Sequence, residues 1–370
     1  MPLVLPRQGL WYSYNMNNFW AKLKTPFFVL APMADVTDPA FRRIIAKYGK
    51  PNVTWTEFVS ADGLASAGRE VLKRDLEYTE SERPIVAQLF SSHPDKMRIA
   101  SKLCAELGFD GIDINMGCPD KSIEKQGAGA CMIKNPESAK LIIQAVKDGI
   151  ADAGKDIPVS VKTRVGYNKV EIDTWIPFLL AQDIAVLTIH ARTRKEMSKV
   201  PARWEHVREV VEIRNKMKLK TKIIGNGDVL NIEHARKLVE ETGCDGVMLG
   251  RAIFGNPWLF SSLTTQKNAN FSSLYPLSGG SDTTQNLHSF VPSLKEKLRV
   301  MVEHTKLFEE LLGDIKSFAI MKKHFKSYVN LPVSGPAIDP SILKDLRLKL
   351  MDTTSAKEVE GIVEEFFTHI

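Results

Sequence analysis

The sequence predicts a parallel (β/α)8 barrel followed by an all-helical C-terminal region. Three observations carry that expectation: short β-rich apolar runs alternate with helix-like stretches, the runs end in polar residues on the same side, and strand-like runs cease after Trp258. At 370 residues the chain exceeds the roughly 250 that such a barrel needs. The expected division is therefore an N-terminal extension over 1–24, a catalytic barrel over 25–262, a polar linker or insertion over 263–292 and a helical domain over 293–370.

Eight runs read as strands: FFVLAPM (27–33), VTWTEF (53–58), PIVAQLF (84–90), GIDINM (111–116), PVSVKTR (158–164), AVLTIHAR (185–192), KIIGNGD (222–228) and GVMLGRA (246–252). Between the third and fourth, DKMRIASKLCAELG sets Met97, Ala100, Leu103, Cys104 and Leu107 at helical spacing and stops at a glycine. Residues 267–290 are rich in Ser, Asn, Thr and Gly and lack either period, as expected of an exposed linker. Beyond them, PSLKEKLRVMVEHTKLFEELLG and SAKEVEGIVEEFFTHI carry helical periodicity alone.

Composition narrows the class. With 44% hydrophobic and 25% charged residues the chain has the make-up of a globular protein with a large core. A net charge of +6 is compatible with a polyanionic partner without demanding one. The four cysteines, Cys104, Cys118, Cys131 and Cys244, form no CxxC pair and have no histidine at metal-ligand spacing, so no zinc site, disulfide framework or other metal is expected. Pro2, Pro6 and Arg7 interrupt any signal-like start and no apolar run approaches 18 residues, which makes a cytoplasmic protein without membrane spans the expectation.

In a (β/α)8 barrel the reaction centre lies at the carboxyl ends of the strands, so the residues there are candidates for chemistry. They are Pro32-Met33-Ala34, Glu57, Gln88, Asn115 with Cys118, Lys162 with Arg164, His190 with Arg192, Asn226-Gly227-Asp228 and Gly250-Arg251. Lys162 ends an otherwise apolar strand and needs an anionic or hydrogen-bonding partner. A reduced flavin would provide one; a carboxylate paired for stability, or Schiff-base chemistry, are the alternatives. GNGDV and LGRA on the last two strands put glycine backbone and an arginine where barrels often hold phosphate. Cys118 lies in NMGCPD between Gly117 and Pro119, on a tight turn where a thiol can donate a proton, whereas the other cysteines fit small core positions.

In order, APMADVTDPAFR, AQLF, DINMGCP, QGAGACMIKNP, VKTRVG, IHARTR, GNGDV and LGRA resemble the tRNA-dihydrouridine synthase family over about residues 25–260, with TEFVSADGL closest to its compact bacterial-type members. The resemblance implies FMN held by Pro32, Met33, Ala34, Gln88, Lys162 and His190, with Asn226, Gly227, Asp228, Gly250 and Arg251 towards its phosphate and Asn115 near the ring or the target base. It implies Cys118 as general acid: NADPH or NADH reduces FMN, hydride passes from flavin N5 to C6 of a uridine in tRNA, and the thiol protonates C5. The target base must leave its stack to meet the flavin, at a cost of a few kcal/mol. A predominantly monomeric state also follows from the resemblance.

Arg164, Arg192, Arg194 and Lys195 are candidate RNA contacts around the mouth. IKSFAIMKKHFKSYV (315–329) lacks any carboxylate and divides into an apolar face of Phe318, Met321, Phe325 and Tyr328 and a basic face of Lys316, Lys322, Lys323 and Lys326. A solvated lysine face is the ordinary meaning of such a stripe; similar residues in the family's helical domain contact tRNA. The 267–290 segment departs from the family's common plan, and no CCCH zinc finger or double-stranded-RNA module is present. Two other functions fit these residues: an FMN barrel reducing a free pyrimidine or another small alkene, and a non-catalytic RNA-binding protein on the same fold.

Overall fold

The computed structural model describes residues 18–263, 291–330, 333–334 and 339–368; the 267–290 segment of the expected linker lies outside them. Eight parallel strands form one sheet: β1 (Phe27–Leu30), β2 (Thr54–Ser60), β3 (Ile85–Phe90), β4 (Gly111–Met116), β5 (Val159–Arg164), β6 (Val186–His190), β7 (Lys222–Asn226) and β8 (Gly246–Leu249). Sequential strands are neighbours from β2 to β8, and β8 pairs with β1. The ring closes between β1 and β2 through a parallel bridge, Val29 to Val53, with Leu30 N–H donating to Val53 O at 3.2 Å. The strands are shorter at their carboxyl ends than expected for β1 and β8: Pro32-Met33-Ala34 and Gly250-Arg251 lie in the exits, where proline and an unextended glycine end the ladder.

Alternate strand residues face two apolar volumes, which is why the runs are apolar on both sides. Phe27, Val29, Val53, Trp55, Val86, Val186, Ile224 and Met248 fill the barrel interior. A short helix, Phe19–Lys22, adds Trp20 to that interior, 1% exposed and with its ring 5.6 Å from Trp55 and 5.7 Å from Phe27. Phe19 packs near Gly111 at the start of β4, so this turn covers the amino-terminal end of the barrel. The other volume lies between the sheet and the surrounding helices.

Four helices follow the barrel among the described residues: Leu294–Leu312, Ala319–Asn330, Pro340–Asp352 and Ala356–Thr368. The first opens with a capping box in which Ser293 and Glu296 satisfy each other's backbone N–H groups. The expected amphipathic stretch is corrected at its start. Lys316 and Phe318 precede the helix, while Met321, Phe325 and Tyr328 are fully buried along it and Lys323 and Lys326 are exposed. No helix among the described residues is long and apolar enough to cross a membrane.

The helical region is packed on the barrel through a buried aromatic cluster. Phe41, from the helix Pro39–Tyr48, stacks on His304 at 4.8 Å and meets the edge of His324 at 4.7 Å. Both His324 nitrogens and His304 Nε2 lack hydrogen-bond partners. Burial, then the nearby Lys323 charge, lowers His324 to about 3, and burial with His324 takes His304 well below 6.5. The unfolded chain therefore takes up these protons first, so the stabilisation is complete above about pH 6.5 and is lost as pH falls. Each histidine contributes a slope of up to about 1.4 kcal/mol per pH unit below that point. Urea unfolding at pH 7 and pH 5 should show a steeper loss for the wild type than for His324→Phe; equal losses would refute the assignment.

Candidate active site at the carboxyl ends of the strands

One depression at the mouth is lined by Pro32, Met33, Lys162, His190, Arg192, Asn226, Gly227, Asp228, Gly250 and Arg251, together with Ala31, Ser198, Val229 and Met248. Most of the residues expected around a cofactor therefore meet in one place. Ala34 is exposed beyond it, and Gln88, Asn115 and Cys118 do not line it.

Lys162 stands at the centre without a hydrogen-bonding protein partner among the described residues. Burial, followed by repulsion from Arg164, lowers its ammonium to about 8. An unpaired, partly desolvated cation of this kind favours an anionic or electron-rich ligand. His190 is held neutral, well below 6.5, by burial and by the surrounding Arg164 and Lys162 charges. Arg192 places Nη1 3.3 Å from His190 Nε2, donates through Nε to Val200 O at 2.6 Å and ion-pairs with Asp228. With Nε2 accepting, the imidazole can present its Nδ1 proton.

The phosphate side is shaped by backbone. Gly227 has φ 131°, and a Cβ there would lie 2.8 Å from Ala202 Cβ, so both conformation and space demand glycine. Trp204 Nε1 donates to Gly227 O at 2.9 Å, and Asn226 Nδ2 donates to Met248 O at 2.9 Å, tying the β7 exit to β8. Asp228 accepts from Ala202 N–H at 2.9 Å and from Arg251 at 2.5 Å. Against the raising effect of burial, these bonds and Arg192 keep its carboxylate below the ordinary value. Its carboxylate thus orients two guanidinium groups, and that of Arg251 remains largely exposed. The unpartnered Lys162, neutral His190, glycine backbone and exposed Arg251 together fit a planar, electron-rich ring carrying a phosphate.

Cys118 occupies the adjoining rim. Asn115 pairs in register with Lys162, which puts the Cys118 turn beside the Lys162 strand end. Asn115 Oδ1 accepts from Gly117 N–H at 3.1 Å and Cys118 N–H at 2.9 Å, and Asn115 Nδ2 donates to Gln88 Oε1 at 3.1 Å. Gln88 in turn donates to Asp113 at 2.6 Å, and Ser160 donates to the other Asp113 oxygen at 2.5 Å. The amides of Gln88 and Asn115 are thus engaged in a buried chain that fixes the turn. Asp113 is not among the residues expected at the site; its place in an apolar strand, GIDINM, is the one sequence signal that marks it.

A second latch comes from QGAGAC. Ala130 N–H donates to Cys118 O at 2.9 Å, and Gly129, at φ 61°, approaches that oxygen so closely that a Cβ would stand 2.8 Å away. Phe90, Ile123 and Ala128, with Phe58 alongside, form an apolar wall against Cys118. Burial raises the thiol above its ordinary value of 9.0, so it stays protonated near neutral pH. Cys104 and Cys244 are buried and Cys131 is half-buried.

The arginines expected to meet RNA are largely engaged within the protein. Arg164 is buried and donates to Gly117 O at 2.7 Å and to Thr193 O and Met197 O at 3.1 Å, bracing the exits of β4 and β6. Arg194 pairs with Glu124 at 2.8 Å and lies 5.3 Å over the Tyr167 ring, whose centroid is also 4.4 Å from Lys134 Nζ. Lys195 is exposed. Lys316 is taken up by Glu57 and Asp75, each at 2.7 Å, and Lys323 lies 3.3 Å from Asp35. Lys322 is half-buried and Lys326 exposed.

A closed parallel barrel that gathers a thiol, a buried lysine and a glycine-rich rim with an exposed arginine on one mouth has the make-up of a barrel enzyme, with its candidate site at the carboxyl ends of the strands. Comparison with known proteins makes the assignment particular. A sequence model of the dihydrouridine synthase (Dus) family matches residues 29–338. The chain is 36% identical over 352 residues to a probable tRNA-dihydrouridine synthase of Staphylococcus aureus, covering 94% of this chain and 95% of that one. It is equally similar, at 36%, to probable tRNA-dihydrouridine synthase 2 of Bacillus subtilis, covering 94% and 96%. Among solved structures, a 2-naphthoyl-CoA reductase complex superposes with a TM-score of 0.50 at 10% identity, over 65% of this chain and 50% of its own, a likeness of fold. The chain belongs to the dihydrouridine synthase family.

Proposed function

We propose that the protein is a tRNA-dihydrouridine synthase that uses FMN and NADPH or NADH to saturate the C5–C6 bond of uridine in tRNA. The observation that carries this reading is the pairing of Asn115 with Lys162, which sets a protonated Cys118 thiol beside an unpartnered cation on one barrel mouth. FMN held there would supply hydride to C6 of the uracil. Lys162 would carry the positive charge at the electron-rich edge of the ring, His190 would donate a hydrogen bond, and Gly227, Gly250 and Arg251 would receive the phosphate. Pro32 and Met33 would support the ring; Gln88 and Asn115 would act by holding the cysteine turn. Cys118 would give its proton to C5, and the adjoining Phe58 and Phe90 wall would exclude water from the base. The family supports a tRNA substrate and hence a cytoplasmic setting.

The test is anaerobic: protein with bound FMN is reduced with NADPH and mixed with unmodified tRNA or free uridine, while flavin reoxidation and dihydrouridine are followed. Reoxidation by tRNA with gain of dihydrouridine supports the reading. Turnover of free uridine with indifference to tRNA would replace it with a small-molecule reductase, and absence of flavin binding would leave an RNA-binding protein without this chemistry.

We infer an RNA-binding face on the exposed side of the Ala319–Asn330 helix, where Lys326 is exposed and Lys322 partly so. In Lys322→Ala/Lys326→Ala, tRNA affinity should fall at low salt, and the slope of log affinity against log salt should shrink by roughly 0.7–0.9 for each phosphate that is no longer neutralised. A slope equal to that of the wild type in filter-binding titrations would remove this helix from the interface.

A further inference from the structure

Glu57, in the middle of β2 where the register against β3 shifts between Trp55 and Phe58, is 4% exposed and receives partners from two separate parts of the chain. Its Oε1 accepts the backbone N–H of Asp35, two residues beyond pocket-lining Met33, and its Oε2 accepts Lys316 Nζ at 2.7 Å. Lys316 comes from the helical region, just ahead of the helix Ala319–Asn330, and is also ion-paired with Asp75 at 2.7 Å. Asp35 has φ 52°, a left-handed conformation that is unfavourable for a non-glycine residue and persists where neighbours enforce it. Its side chain reaches back to Lys323 of the same helical region at 3.3 Å.

These bonds link two parts of the molecule that have separate tasks. A buried carboxylate meant only for stability could be replaced by apolar packing, and a buried ion pair is weak evidence of stabilisation. Here the two carboxylate oxygens divide their partners, one to the loop that shapes the cofactor pocket and one to the helical region. We propose that Glu57 and Lys316 are positioning residues that couple the seating of the helical region to the conformation of the Met33–Asp35 loop. The coupling rests on the FMN reading above for its functional meaning, but the linkage itself concerns this chain alone.

The experiment measures amide hydrogen exchange of residues 31–37 in flavin-free full-length protein, for wild type, Glu57→Gln, Lys316→Met and Lys316→Arg, with thermal unfolding alongside. Lys306→Met, which breaks the exposed Lys306–Glu360 pair elsewhere in the helical region, is the control. Exchange in 31–37 should rise at least tenfold in Lys316→Met and Glu57→Gln and stay near wild type in Lys316→Arg and the control. FMN affinity, read by quenching of flavin fluorescence, should fall about tenfold in the same two variants. The Glu57→Gln/Lys316→Met double variant should bind FMN no more weakly than Lys316→Met alone, since both strand Asp75 and only the single variant also strands the buried Glu57 carboxylate. Unchanged exchange in 31–37, or exchange raised equally throughout the barrel with a matching fall in melting temperature, overturns the coupling. Failure of the wild type to bind FMN would overturn the functional reading instead, and the exchange data would still decide the linkage.

Discussion

Cys118→Ala is expected to slow uridine reduction by about 10²–10⁴-fold, the range associated with loss of a positioned general acid. Flavin reduction by NADPH should be little affected, because the thiol lies on the rim and does not line the Lys162 pocket. Burial raises the thiol, so wild-type turnover should not lose its acid between pH 6.5 and 8.5 and should decline only above the ordinary thiol value of 9.0. Rapid-mixing measurement of the two half-reactions separates these claims. Equal slowing of both half-reactions would mean that Cys118 shapes the pocket and does not supply the proton.

The second large effect concerns Lys162. Burial and repulsion from Arg164 lower its ammonium to about 8, and a ligand that accepts its hydrogen bond stabilises the charged form. FMN affinity should therefore be flat below pH 8 and fall by up to about tenfold per pH unit above it, as binding comes to require proton uptake. Lys162→Met should bind FMN about 10–100-fold more weakly, in keeping with the removal of a hydrogen bond to a charged group, and without that fall above pH 8. A pH profile in the variant that parallels the wild type would assign the proton to another group.

The barrel and the mouth are legible in the sequence because both are written locally. Each strand is a short apolar run, and position at its carboxyl end already implies the shared rim, so Lys162, His190, Asn226, Asp228 and Arg251 can be brought together from the sequence alone. What those side chains face is not written locally. Arg164 and Arg192 read as free cations at a strand exit, yet their partners are Gly117, Thr193 and Met197 carbonyls in one case and Val200 and Asp228 in the other, set by the packing of adjacent exits.

Longer separations are less legible still. Lys316 fits a basic stripe by helical spacing, but the helix starts at Ala319 and the lysine turns towards Glu57 and Asp75, a juxtaposition without any periodic signal. Trp20 likewise falls within the expected extension, although its ring is part of the barrel interior. An aromatic residue ahead of the first strand marks apolar surface to bury without saying where.

The position of Trp20 bears on traffic through the enzyme. Among the described residues Trp20, Trp55 and Phe27 close the lower end, so the barrel is a vessel open at the Lys162 mouth rather than a conduit. On the function proposed above, reductant, nucleotide and exchangeable protons would all reach the Lys162 pocket from the side that carries Cys118 and the helical region. Two bulky reactants that needed the same face of one bound ring could not occupy that doorway together, so departure of the first would be part of the timetable for the second.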